Sequence, residues 1–92
     1  MTLASARHIL VDSENKCVEL KLAIESGKDF AEVAREHSSC PSGMRGGDLG
    51  SFGRGQMVPE FDQAVFNSDL KTVVGPVKTQ FGYHLLEVTS RD

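Results

Sequence analysis

The chain has no tryptophan, a single tyrosine, two cysteines and three prolines among its 92 residues. Cys17 and Cys40 show no C-x-x-C spacing, so the sequence carries neither a disulfide framework nor a zinc knuckle. Long apolar runs are missing as well. The opening MTLASARHILV has no charged segment followed by an extended hydrophobic one, so no signal peptide and no transmembrane helix are expected. Positive charge is scarce and scattered: ten Lys and Arg face thirteen Asp and Glu, for a net charge of −3, and no two basic residues are adjacent. Neutralising a phosphate backbone needs a basic face, and holding an anionic membrane needs a basic run. Neither nucleic acid nor membrane is therefore an expected partner, and unpaired thiols without a leader point to the cytoplasm.

What is present describes one ordinary globular unit. A hydrophobic fraction of 39% and a charged fraction of 25% are those of a folded protein, and the length allows one core, so residues 1–92 are expected to form a single domain. Residues 6–11, ARHILV, read as a short, largely buried strand, with Ala6, His8 and Leu10 on one face and Arg7, Ile9 and Val11 on the other. Asp12 or Ser13 can cap a helix that Gly27 ends, with Cys17, Leu20 and Ile24 as its apolar stripe and Val18 and Leu22 widening it. Asp29 opens a second helix, where Glu32 completes a capping box and Phe30, Val33, Ala34 and His37 form the buried side.

Residues 38–48, SSCPSGMRGGD, are loop by composition, and Pro41 keeps Cys40 out of helical geometry. The following stretch, GGDLGSFGRGQMVPEF at 46–61, sets large apolar groups between glycines. A flexible linker would carry no aromatics, so a tightly bent strand and turn lining a concavity is expected. Pro59 suits the first turn of a helix bearing Phe61, Ala64, Val65 and Phe66. Residues 72–77, TVVGPV, read as a strand interrupted by Gly75-Pro76 and hence an edge, and YHLLEVTS is the last strand, with His84, Leu86 and Val88 on one face. This order suggests a small α+β sandwich of sheet and helices.

A single histidine on an apolar strand face is usually a satisfied core residue. Here the first and last strands each carry one, His8 and His84. In a small sheet terminal strands often lie side by side, so the two rings could hydrogen-bond to each other. With a loop thiol, Cys40, nearby in the order of elements, the set is a candidate site.

The segments HILV at 8–11, HSSCPSG at 37–43, GGDLGSFGRGQMVPEF at 46–61 and VGPVKTQFGYH at 74–84 together resemble a parvulin-type peptidyl-prolyl cis/trans isomerase. The resemblance covers nearly the whole chain in order, and is closest to the small single-domain bacterial parvulins. It implies a parvulin-like (FKBP-like) four-stranded antiparallel sheet surrounded by helices, in the order β-α-α-α/β-α-β-β. It implies His8 and His84 as the paired histidines, Cys40 where members carry cysteine or aspartate, and Thr79 as the hydroxyl beside the second histidine. Leu49, Met57 and Phe61 correspond to the proline pocket, and Phe81 to a variable position that often lines it. The activity implied is acceleration of X-Pro isomerisation in protein folding, by a monomer without metal or cofactor acting on proline-containing peptides and unfolded clients. Phospho-specific parvulins carry a basic loop after the first strand. The corresponding VDSENK has two acids and one lysine, so phosphate independence is expected. No WW-like module is expected with it. A thiol and two histidines could also perform nucleophilic catalysis or hold zinc, and a binding module could keep the fold without the catalysis.

Overall fold

The computed structural model describes residues 3–91, which run β1 (Leu3–Val11), α1 (Glu14–Glu25), α2 (Phe30–His37), a 3-10 turn (Pro41–Arg45), β2 (Asp48–Gly53), α3 (Pro59–Asn67), β3 (Val73–Thr79) and β4 (Gly82–Arg91). The strands form one antiparallel sheet in the order β2-β1-β4-β3. First and last strands are therefore the central pair, and β3, with its register shift between Val74 and Val77, is an edge. A proline has no N–H to offer a ladder, and the edge is where that costs least.

Alternation along the central strands divides the core in two. Ala4 and Ala6 of β1 and Leu86 and Val88 of β4 pack with Phe52 against Phe61, Val65 and Phe66 of α3. Ile9, Val11 and Leu85 pack on the other side against Cys17 and Leu20 of α1 and Phe30, Val33 and Ala34 of α2. The sheet is thus covered on both faces where Ile9 and Leu85 lie, whereas Ser5 and Arg7 of β1 and Glu87 and Thr89 of β4 alternate outward from buried neighbours.

The helix starts follow their caps. Ser13 accepts from the Lys16 N–H at 3.0 Å and Asp29 from the Glu32 N–H at 3.2 Å, each satisfying a donor that the first turn leaves unpaired. Pro59 begins α3, as its fixed φ favours.

Two expectations about buried faces fail. Val18 and Leu22 do not widen the α1 stripe: they are 41% and 59% exposed, while Cys17 and Leu20 are buried. At about 100° per residue they lie round the helix from the Cys17–Leu20–Ile24 line, and only that line meets the sheet. His37 is exposed rather than buried at the end of α2. The chain leaves the helix at Ser38 to bond β1, with Leu10 N–H donating to Ser38 Oγ at 3.1 Å and Ser39 N–H to Leu10 O at 2.8 Å. It is this segment, not the last helical side chain, that covers the strand. The expected loop at 38–48 also contains the 3-10 turn and the first residue of β2.

Candidate active site

His8 and His84 lie on the same face of the two central strands, one step apart along the ladder, since His8 stands opposite Leu86 and Leu10 opposite His84. Both are buried, and their Nδ1 atoms are 3.0 Å apart with the rings nearly parallel at 18°. Phe61 of α3 meets both rings edge to face, at 5.6 Å from His8 and 5.5 Å from His84 between centroids.

The loop after α2 reaches this pair because it completes the β1 ladder beyond β2. His8 N–H donates to Gly47 O at 2.9 Å, next to the bonds that Leu10 makes with Ser38 and Ser39. Gly47 has φ 86°, and a Cβ there would collide with the carbonyl oxygen of His8. Only glycine allows the loop so close to the histidine's own backbone. The 3-10 turn that precedes it then presents Ser42, with Cys40 as the residue that caps its start.

The polar groups form one directional chain. Ser42 Oγ donates to Cys40 Sγ at 3.3 Å, so its oxygen must accept the His8 Nε2–H at 3.1 Å. His8 Nδ1, left without a proton, accepts from His84 Nδ1–H. His84 Nε2 in turn accepts from the Thr79 hydroxyl at 2.7 Å, and Thr79 Oγ1 accepts the Phe81 N–H at 3.2 Å. With one proton on each ring, the Ser42 donation to Cys40 makes the tautomers opposite: Nε2–H on His8, Nδ1–H on His84. A second proton on His8 would set two N–H groups against each other at the Nδ1 contact, and a second proton on His84 would occupy the Nε2 that accepts the Thr79 hydroxyl. Burial acts the same way. It lowers the His8 pKa from 6.5 to about 4, with the neighbouring His84 contributing, and lowers that of His84 as well. The pair is neutral at physiological pH.

In front of the pair is a cavity of about 350 Å³ lined by His8, Leu10, Leu49, Met57, Val58, Phe61, Phe81 and His84, together with Ser39, Cys40 and Pro41. Apart from the neutral histidines, no lining side chain is of a charged type. Seven of the eight residues singled out from the sequence thus meet here, with Phe81 63% exposed at the rim. Thr79 does not line the cavity but stands behind His84, buried. Cys40 is only partly buried, and its sulfur reaches the histidines through Ser42. Among the described residues no group of three or more His, Cys, Asp or Glu is placed to hold a metal ion.

Ser42 escaped the sequence reading, as did Leu10 and Val58. Ser42 is one of three serines in HSSCPSG, and nothing in composition or spacing separates it from Ser38 and Ser39. Its signal is tertiary: it is buried against His8.

The profile of one protein family, described as Rotamase: PPIC-type PPIASE domain, matches residues 6–90. The chain is 48% identical over 87 residues to Foldase protein PrsA of Halalkalibacterium halodurans, covering 94% of this chain and 26% of that protein. It is 43% identical over 101 residues to Chaperone SurA of Methylococcus capsulatus, covering 99% of this chain and 22% of that one. The chain therefore spans about a quarter of the length of these curated relatives. Among solved structures, NmPin, the parvulin of Nitrosopumilus maritimus, superposes with a TM-score of 0.88 at 31% identity, covering 98% of each chain. The peptidylprolyl isomerase PrsA of Bacillus anthracis superposes with a TM-score of 0.96 at 36% identity, covering 99% of this chain and 42% of that one.

Proposed function

The chain belongs to the PPIC-type, or parvulin, family of peptidyl-prolyl cis/trans isomerases, and on that footing we propose that its cavity isomerises X-Pro bonds without a covalent step and without need of phosphate. An X-Pro bond crosses a barrier of roughly 20 kcal/mol although its two isomers differ by only about 0.5–1 kcal/mol. At the barrier the amide is twisted, its nitrogen has regained a lone pair and its carbonyl is less polar. An apolar pocket disfavours the planar, polar ground state more than the twisted one. Each ~1.4 kcal/mol of that difference is worth tenfold in rate.

The residues divide this work. Leu49, Met57 and Phe61 grip the pyrrolidine ring, and Phe81 covers it at the rim. His8, His84, Thr79 and Cys40, joined through Ser42, form a polar floor. The observation that carries the reading is the neutral histidine pair held edge-on by Phe61 at the base of an apolar cavity. A protease-coupled isomerisation assay on His84→Ala and Phe61→Ala tests it. Both variants should lose most of the activity, and activity unchanged in both would overturn the site.

Nucleophilic catalysis by Cys40 would need a histidine base at its sulfur. His8 Nε2 instead bonds Ser42, which itself bonds Cys40. Cys40→Asp should keep substantial isomerase activity, whereas a nucleophile would lose all of it.

Phosphate independence rests on the connection from β1 to α1, which is only Asp12 and Ser13 and bears no cation. A large rate gain for phosphoserine-proline over serine-proline peptides would reverse that reading. The foldase and chaperone names of the relatives support protein or peptide substrates, and unfolded clients are the class we propose. The cytoplasm is proposed on the thiols alone, both of which are free. Recovery of the native protein outside that compartment on cell fractionation would overturn it.

A further inference from the structure

Beside the apolar cavity lies a second, more polar hollow of about 210 Å³, lined by Val58, Pro59, Glu60 and Gln80. Val58 lines both, so the two adjoin across one side chain. Glu60 comes from the first turn of α3 and Gln80 from the turn between β3 and β4, so the fold brings together two segments distant in sequence. Both are exposed, and neither side chain makes a hydrogen bond or ion pair with any described residue. Asp62, two residues on, differs: its Oδ1 accepts the Gly55 N–H at 2.9 Å and is committed to the fold.

The hollow therefore offers a carboxylate and an amide with unused acceptor capacity, next to the aliphatic surfaces of Val58 and Pro59. That combination matches a side chain with an alkyl stem and a cationic head, whose stem covers apolar surface while its head stays at a wet, acidic rim. The apolar cavity itself has no means of sorting substrates by charge, since no carboxylate or cation lines it.

Resting on the isomerase reading above, we propose that this hollow is a subsite for a lysine or arginine side chain within two residues of the substrate proline. The stem lies over Val58 and Pro59, and the head sits between the Glu60 carboxylate and the Gln80 amide oxygen. The preference belongs to one side of the proline only, the side on which the peptide leaves past Val58.

Peptides carrying Ala, Lys or Glu at each of the two positions on either side of proline test this. For each, kcat/KM is measured by exchange spectroscopy and Kd by amide shifts. At one position Lys should exceed Glu by about twofold to fivefold, the range of an exposed charge pair. The ratio should shrink as salt is raised. Glu60→Lys should invert it, whereas Glu36→Lys, the same charge change on α2, should leave it alone. A ratio that is equal in the wild type and Glu60→Lys overturns the subsite, as does a ratio moved equally by Glu36→Lys. Peptides that bind without faster isomerisation would instead remove the enzymatic reading, and the Kd ratio would still decide the subsite.

Discussion

The two faces of the central strands are built from alternate residues of the same segments, yet they do different work. On the α1/α2 side Ile9, Val11, Leu85, Cys17, Leu20, Phe30, Val33 and Ala34 make an apolar core whose most polar buried group is a thiol. Burial pushes that thiol, Cys17, up to about 11, so it stays protonated and inert. On the α3 side the same strands bury two histidines, with Thr79 and Ser42 beside them, and every buried polar side-chain atom among the described residues has a partner. One face anchors the strands. The other spends part of its burial on polar groups that a hydrophobic isostere would replace without loss of packing. Buried polar groups retained at that cost point to function when they line a cavity, as the two histidines do.

The contrast can be broken at several points. The largest effect is expected on the apolar face: Leu85→Ala, at a fully buried site, should cost about 2–5 kcal/mol of stability. The isomerisation rate per folded molecule should stay within about twofold, because Leu85 faces away from the cavity. Urea unfolding with activity measured below the transition checks both, and a specific loss of kcat would mean that the faces are not separable.

Next comes acid. His8 binds a proton more weakly folded than unfolded, so its contribution to stability is complete above pH 6.5 and is lost as pH falls toward about 4. Between pH 6.5 and 5 this should remove about 2 kcal/mol, and His84, shifted the same way, adds to the slope. Cys17, on the opposite face, titrates far above this window. Unfolding midpoints that do not change between pH 7 and 5 would contradict neutral, buried histidines.

Ser42→Ala should cost about 1–3 kcal/mol by leaving the His8 Nε2–H without its acceptor, and should lower activity as well. A variant with native stability and rate would show that the chain from Thr79 to Cys40 is not coupled. The smallest effect is expected at Leu22→Ala, below about 0.5 kcal/mol, since this side chain lies off the line where α1 meets the sheet. A loss comparable to that at Leu85 would restore the wider stripe that periodicity suggested.

Much of the scaffold was legible in the sequence. Asp12 or Ser13 announced the first helix, with Ser13 the cap in the structure, Asp29 the second, Pro59 the third and Gly75-Pro76 the edge, and alternation in ARHILV and YHLLEVTS divided the two core faces correctly. These features depend on a single chain's local geometry, which repeats with the period of its own backbone. The same logic misjudged Val18, Leu22 and His37, because periodicity says which residues share a side but not how much of that side a neighbour covers.

By itself the sequence determined which residue types were available to the site, their family resemblance and the glycine at 47 that lets a loop approach His8. Only the tertiary structure decided the order of protons. The chain from Phe81 through Thr79, His84, His8 and Ser42 to Cys40 runs across β3, β4, β1 and the 3-10 turn. With the Ser42 hydroxyl donating to Cys40, each further direction follows from what its partner has already donated. Those constraints do not exist until four separate segments meet.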